Sequence, residues 1–176
     1  MRHGRASRFA LCLTLLLALT SVDPLFGTAT AAAKDPLFPR VRGVTPKMKE
    51  LIETGIKRSV TFRLLVDQLN KSDVVVFLET RDLPASLDGR LVFLTAAAGT
   101  RYLHAQLTPG LNMEELIAVA AHELQHAVEV ATHPEVRCTD TLRLLYRRIG
   151  IPSAVKDRYD TRAAQSTGRR VRAELG

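Results

Sequence analysis

The stretch TPGLNMEELIAVAAHELQHAVEVA, residues 108–131, contains the most sharply delimited helix in this sequence. Asn112 is a typical N-cap residue, and Glu114 and Glu115 fall in the first turn, where the helix dipole favours acidic side chains. No helix breaker follows until Pro134. We therefore expect one long helix here.

Two histidines on this helix can share one metal ion. His122 and His126 are four residues apart, so they differ by about 40° in direction and about 6 Å along the axis. Two imidazoles at this spacing can each reach one ion at about 2 Å. Glu123 is rotated by about 100° from His122, where its carboxylate can take a proton from bound water. The alternative interpretation is an ordinary buried helix with two hydrogen-bonded core histidines.

The residues around the histidine pair resemble those of the zincins, a class of zinc metallopeptidases. That class has Val or Thr three residues before the first histidine, uncharged residues around the motif, and a hydrophobic residue two after the second histidine. The chain matches these positions with Val119, Ala120, Leu124, Gln125, Ala127 and Val128. Uncharged flanks have a physical basis, because extra charges on a buried helix carry a desolvation penalty.

A hydrolytic zinc site needs a third protein ligand and an open position for water. The metzincin pattern does not fit, because Glu129 and Thr132 stand where that family has glycine and a third histidine. Glu129 lies roughly 10 Å along the axis from His122, which favours a supporting role over direct ligation. Glu135 and Asp140, further along the chain, are alternative third ligands.

The gluzincins, a zincin subclass, take their third carboxylate from a later helix, and this resemblance implies Asp160. We predict a helix over residues 159–175, in which Asp160, Ala164 and Gly168 follow one another at helical spacing. The small residues would allow this helix to approach the histidine helix closely. Close approach would compensate for aspartate being shorter than the glutamate usual in that subclass.

The remaining sequence predicts an α+β fold. Thr45 followed by Pro46 is typical of a helix start. Three short apolar runs without long crossovers predict a small antiparallel sheet of about three strands. Besides the motif helix, we predict one helix that begins at Thr45 and three that cover 59–69, 139–149 and 159–175. The predicted strands cover 73–79, 90–96 and 100–107.

The strand Thr100–Leu107 leads directly into the motif helix. By resemblance to zincins, an extended substrate would pair with this strand at the edge of the sheet above the site. His104 lies on the same strand, and we interpret it as a surface or packing residue rather than a ligand.

The N-terminus is typical of a secretory signal. Basic residues precede an apolar run from Phe9 to Leu19, and small residues continue to Ala33. The run is shorter than the roughly 20 residues that cross a bilayer, so we predict export without a permanent membrane span. The predicted organisation is a signal peptide over 1–33, an extended leader over 34–44, and a zincin-like domain over 45–176.

Composition narrows the possible partners. The chain has 176 residues, a formal net charge of +7 and two cysteines, of which Cys12 lies in the predicted signal. Cys138 would be the only thiol of the exported form, so we expect no internal disulfide. The arginines are scattered and not interleaved with aromatic residues, which argues against a nucleic acid partner.

These features predict an exported zinc metallohydrolase, a peptidase acting on a peptide or protein substrate. Zinc would lower the pKa of its water to about 7, and Glu123 would act as general base and pass the proton to the leaving amine. Tyr159 is the predicted oxyanion donor, with His133 and Arg162 as alternatives. The alternative function is a catalytically silent zinc- or ligand-binding module on the same fold. Peptide deformylases share the motif but use an upstream cysteine, whereas Cys138 lies downstream.

Overall fold

Helices and strands alternate irregularly along the chain in an α+β fold. The computed structural model describes residues 39–152 and 159–176, so the predicted signal peptide and its cleavage site lie outside the described residues. In chain order the elements are β1 (Val41–Gly43), α1 (Pro46–Arg58), α2 (Val60–Asn70), β2 (Val74–Thr80), β3 (Gly89–Ala97), β4 (Thr100–Leu107), α3 (Met113–Ala131), α4 (Thr139–Ile149), β5 (Ile151–Pro152), β6 (Tyr159–Asp160) and α5 (Arg162–Leu175).

The helix starts follow from local capping chemistry. Thr45 caps α1 and precedes Pro46, and the Ser59 hydroxyl accepts a hydrogen bond at the start of α2. Asn112 and Glu115 form a reciprocal capping box at the start of α3. Each cap satisfies amides that have no partner within the helix. The predictions for these starts, and for a helix over Thr139–Ile149, are confirmed.

The sheet differs from the prediction. Its strand order is β1-β2-β4-β3; β2 runs parallel to both β1 and β4, and only β3 and β4 are antiparallel. The prediction of an antiparallel sheet was therefore wrong. Strand β4 is the inner strand of the hairpin and lies against β2. Its side chains Leu103, Ala105 and Leu107 are completely buried, as expected for a central strand with parallel pairing. Thr100–Leu107 is thus not an edge strand, and β3 is.

The sheet also begins earlier in the chain than predicted. Residues 41–43, assigned to the extended leader, pair with β2, and Val41 lies opposite Val76. Val41 is only 3% exposed. Since the pairing contributes a buried side chain as well as backbone hydrogen bonds, this part of the leader belongs to the folded structure.

The last helix begins later than predicted. Asp160 and the residue before it form β6, which pairs with β5, and α5 starts only at Arg162. The hydroxyl of Thr161 accepts the amide of Ala164 at 3.0 Å, which makes Thr161 the N-cap. The prediction that Asp160, Ala164 and Gly168 lie along one helix is therefore wrong for Asp160, because this residue lies two positions before α5.

Helix α3 occupies the centre of the fold. It packs against β2, β3 and β4 of the sheet, and also against α1, α2 and α5. Its fully buried side chains include Leu116, Ile117 and Leu124. Within residues 39–152 and 159–176, no helix combines the length and hydropathy needed to cross a membrane.

A buried arginine fixes the C-terminal end of α3 to the sheet. Arg101 of β4 is 1% exposed, and its Nη1 donates to the carbonyls of Val130 and His133, both at 2.8 Å. Its Nε and Nη2 bind the carboxylate of Asp73 at 2.9 and 2.6 Å. The guanidinium thus adds hydrogen bonds to carbonyls at the end of the helix and a positive charge where the dipole favours one.

Arg101→Ala should lower the free energy of unfolding by at least about 2 kcal/mol, because it removes a partly buried ion pair with Asp73 and several hydrogen bonds to the end of α3. Urea denaturation followed by circular dichroism measures this change. The exposed Arg63 on α2 provides the control, since Arg63→Ala should stay within about 0.5 kcal/mol of wild type. Equal effects of the two substitutions would contradict a structural role for Arg101.

Candidate metal centre

The structure brings three predicted ligands together. His122 and His126 project from α3, and Asp160 of β6 lies opposite them. The Nε2 atoms of His122 and His126 are 3.1 and 3.5 Å from Oδ1 of Asp160. One donor atom from each residue lies within 4.8 Å of the other two. These three residues form a possible metal-binding triad.

The spacing of the donors fits a small tetrahedral ion. Ligand atoms held at about 2.0–2.1 Å around a tetrahedral centre lie roughly 3.4 Å from one another. The two nitrogen–oxygen distances of 3.1 and 3.5 Å lie on either side of this value. Three protein donors would leave a fourth tetrahedral position for water or substrate.

The carboxylate of Asp160 is held in place by its own surroundings. Its Oδ1 accepts the amide of Thr161 at 2.7 Å, and its Oδ2 accepts Nε2 of Gln165 at 2.9 Å. Partial burial opposes ionisation of Asp160, but hydrogen bonds from the two histidines and Gln165 outweigh it and hold the pKa well below its usual range. Asp160 is therefore a carboxylate, the form that binds a cation.

Glu129 contacts His126 and lies outside the triad. Its Oε2 lies 2.9 Å from Nδ1 of His126, and its Oε1 accepts the hydroxyl of Thr161 at 2.6 Å. A proton on Nδ1 shared with Glu129 leaves Nε2 free to face the metal position. These contacts agree with the prediction that Glu129 supports the site rather than ligates, and its bond to Thr161 adds a link to the start of α5.

His126 holds a proton strongly when no metal is bound. Burial of the ring lowers its pKa, but hydrogen bonds to Asp160 and Glu129 outweigh burial and raise the pKa to about 10. The charged ring lies between two carboxylates. A divalent cation at the same position would replace the proton as their positive partner.

Glu123 is buried next to the triad with an unsatisfied oxygen. The residue is 4% exposed, and its Oε2 has no hydrogen-bond partner among residues 39–152 and 159–176. Burial raises the pKa of Glu123, and the charges of His126 and His122 oppose this rise. A buried carboxyl oxygen without a partner destabilises the folded state by about 1–3 kcal/mol. A function of this carboxyl group therefore explains its position better than a contribution to stability does.

A glycine at the start of β3 makes room for Glu123. A β-carbon at Gly89 would lie 2.7 Å from Oε1 of Glu123 and 2.8 Å from Cγ1 of Val119. Any other residue would displace the carboxylate. The edge strand therefore passes directly beside this acid.

Close packing of α5 on α3 brings Asp160, the predicted third ligand, near the histidines. A β-carbon at Gly168 would lie 3.4 Å from the carbonyl of Ala118 and 3.5 Å from Cβ of His122, and Ala164 is completely buried. The prediction that small residues let these helices approach is confirmed for Ala164 and Gly168. The approach brings the segment just before α5 over the histidine pair.

Tyr146 is a residue of the site that the sequence did not reveal. Its ring lies 5.1 Å from that of His126, nearly perpendicular to it, and its hydroxyl donates to the carbonyl of His126 at 3.1 Å. Burial raises its pKa well above the usual value. Tyr146 falls at helical spacing from Leu142 on α4, so the sequence pattern indicated only a packing role.

The other candidates lie away from the triad. Glu135 pairs with Arg148, and Asp140 with Arg143, both on the surface. His133 binds the carbonyl of Glu129 through Nδ1 at 2.7 Å. The remaining predicted residues are Arg162, which is exposed at the start of α5; His104, which contacts Phe77 and Glu79; and the exposed thiol of Cys138.

Two clefts open onto the site, and both are lined by His122 and Glu123. The first cleft lies between the start of β3 and α5, and is lined by Asp88, Arg169 and Arg172 among others. The second cleft lies between β3 and α4, and its walls include Leu91, Leu142, Tyr146 and Tyr159. A bound chain could therefore pass over the triad from one cleft to the other.

Comparison of the chain with protein-family models, with curated proteins and with solved structures finds no match. The relation to zincins therefore stays a prediction that rests on the motif and its flanking residues.

Metal binding should release a proton. Metal-free His126 keeps its proton up to a pKa of about 10, and it must lose that proton to ligate, so about one proton should leave near neutral pH. The affinity for Zn²⁺ should accordingly rise as the pH increases toward that pKa. Calorimetric titrations in two buffers of different ionisation enthalpy measure the released proton. Equal heats in both buffers, with an affinity independent of pH, would be inconsistent with ligation by His126.

Glu129→Ala should weaken the affinity for Zn²⁺ by about 10- to 100-fold, because the orientation of His126 and the link to Thr161 are both lost. Competition with a chromogenic chelator measures the affinity. The control is Glu135→Ala, which removes an exposed glutamate paired with Arg148 and should leave the affinity unchanged. If both variants bind as wild type does, Glu129 has no part in the metal centre.

Proposed function

We propose that this protein is a zinc-dependent metallohydrolase that cleaves peptide bonds. The observation that carries the proposal is the unpartnered Oε2 of buried Glu123 beside the convergent donors of His122, His126 and Asp160. A core helix with two hydrogen-bonded histidines would explain the histidines. It would not explain a buried carboxyl oxygen left without a donor at the same place.

The donor set supports zinc as the metal. Two imidazole nitrogens and one carboxylate oxygen suit Zn²⁺, and an incomplete tetrahedral set is typical of catalytic zinc. Structural zinc sites are closed by four ligands, commonly thiolates. Cys138 is exposed at the start of α4 and does not belong to the triad.

Glu123 is suited to move a proton. When bound, zinc polarises a carbonyl and lowers the pKa of a water to about 7. The Oε2 of Glu123 is free to accept the proton of that water, and the raised pKa of this carboxyl allows it to hold the proton and return it to the leaving amine. Glu129 and Tyr146 contact His126 and keep its ring in position during the transfer.

The edge strand β3 is suited to bind an extended substrate. Its first residues, Gly89 to Leu91, line the second cleft beside Glu123, and the sheet order leaves one side of β3 unpaired within the sheet. A peptide added to this edge gains main-chain hydrogen bonds. The role first predicted for Thr100–Leu107 thus passes to the neighbouring strand.

Tyr159 stays the proposed oxyanion donor. It lines the second cleft next to Asp160, whereas the hydroxyl of Tyr146 already donates to the carbonyl of His126. His133 and Arg162 line neither cleft. The basic and apolar order of residues 1–33 supports export as the cellular context of this activity.

Glu123→Ala should keep bound zinc and reduce peptide hydrolysis by at least about 100-fold, because the general base is lost. Asp160→Ala should lose both zinc and activity. Metal content and cleavage of a mixed fluorogenic peptide set measure the two properties. Asp67→Ala, which removes an exposed aspartate of α2 that lines neither cleft, should behave as wild type.

Bound zinc without hydrolysis of any peptide by the wild-type protein would refute the peptidase and leave a catalytically silent zinc-binding module. Absence of metal from the wild-type protein and all variants would refute the metal centre itself. In that case the histidines would be core residues of α3.

A further inference from the structure

We propose that the two clefts bind different groups of the substrate. The first cleft binds a carboxylate through Arg169 and Arg172, and the second binds an apolar or aromatic side chain. This inference rests on the proposed peptidase function and specifies its substrate class. It concerns residues outside the metal-binding triad.

The first cleft presents two arginines that form no ion pair with any described residue. Arg169 and Arg172 are three residues apart on α5, so they lie on neighbouring positions of one helix face. Both are exposed, and neither has an ion-pair partner in the part of the chain that the structure describes. The only acidic residues lining this cleft are Asp88, which is exposed, and the buried Glu123. Two guanidiniums therefore face one exposed carboxylate.

The two arginines of the second cleft each contact a neighbouring side chain, and Arg143 pairs with an acid. The Nε of Arg90 donates to Gln106 at 2.7 Å, and Arg143 pairs with Asp140 at 3.0 Å. The cleft has a volume of about 550 Å³, against about 330 Å³ for the first. Its apolar lining residues are Pro84, Leu87, Leu91, Leu142, Tyr146 and Tyr159. This composition suits an apolar side chain.

Both clefts adjoin the reacting position. Each is lined by His122 and Glu123. A substrate whose scissile bond lies at Glu123 would therefore place the side chain before that bond in one cleft and the side chain after it in the other. Arg169 directly follows Gly168, where a β-carbon would lie 3.7 Å from Nδ1 of His122. The carboxylate that the arginines bind should therefore lie close to the scissile bond. A guanidinium suits it because it can form two parallel hydrogen bonds to a carboxylate.

Fluorescence anisotropy on the zinc-loaded full chain tests the inference. The background substitution is Glu123→Gln, so that peptides bind without turnover. The probes are fluorescein-labelled peptides with a central Phe-Leu pair and two glutamates on either its N-terminal or its C-terminal side, each matched with a glutamine peptide. One glutamate peptide should bind about 3- to 20-fold more tightly than its glutamine counterpart, an advantage that salt reduces.

The arginine variants assign the effect. Arg169→Ala with Arg172→Ala should abolish the advantage, whereas Arg170→Ala, which removes an exposed neighbour that does not line the cleft, should preserve it. Equal affinity for glutamate and glutamine peptides in both orders would overturn the inference. So would an advantage that survives the double substitution, or one that Arg170→Ala removes equally.

Failure of this inference is distinguishable from failure of the proposed function. Peptide hydrolysis by the wild-type protein with no preference for glutamate would overturn the inference and leave the peptidase standing. Arginine-dependent binding of the glutamate peptide, with no hydrolysis by the wild-type protein, would support the cleft assignment and refute the peptidase.

Discussion

The carboxylate of Glu129 is the contact on which the geometry of the site depends. One of its oxygens lies 2.9 Å from Nδ1 of His126, and the other accepts the hydroxyl of Thr161 at 2.6 Å. Because Thr161 caps α5 and directly follows Asp160, this single side chain sets both the ring of one ligand and the position of another. The close contact of Gly168 with α3 brings the two helices near enough for the bridge to form.

Near this bridge, ionisable side chains lie in positions where burial disfavours their charged forms. Glu123 and His126 are both nearly buried, and an unpaired buried polar oxygen destabilises the folded state by about 1–3 kcal/mol. The completely buried apolar side chains of α3 and the sheet, together with the capping of α3 by Arg101, offset this penalty. The site is therefore supported by rigid elements, which is what positioning a reactive group requires.

The sequence predicted those features that depend on local chemistry. Helix starts at Thr45, Ser59 and Asn112 follow from capping within three residues, and the histidine pair follows from helical spacing. The sheet order could not be predicted in this way, because whether β2 pairs with β3 or with β4 depends on burial across the whole domain. The role of Tyr146 could not be predicted either, because its contact with His126 joins residues of two helices that are 20 positions apart in the sequence. Asp160 is a predicted ligand that does lie beside the two histidines, although it lies in a strand before the helix.

X-ray absorption at the zinc edge of the zinc-loaded protein tests the central claim most directly, since it reports the ligands around the ion. The account predicts two imidazole nitrogens at about 2.0–2.1 Å with oxygen donors completing a four-coordinate sphere. A sulfur shell at about 2.3 Å, or fewer than two imidazoles, would contradict the assignment of His122, His126 and Asp160 as the metal ligands.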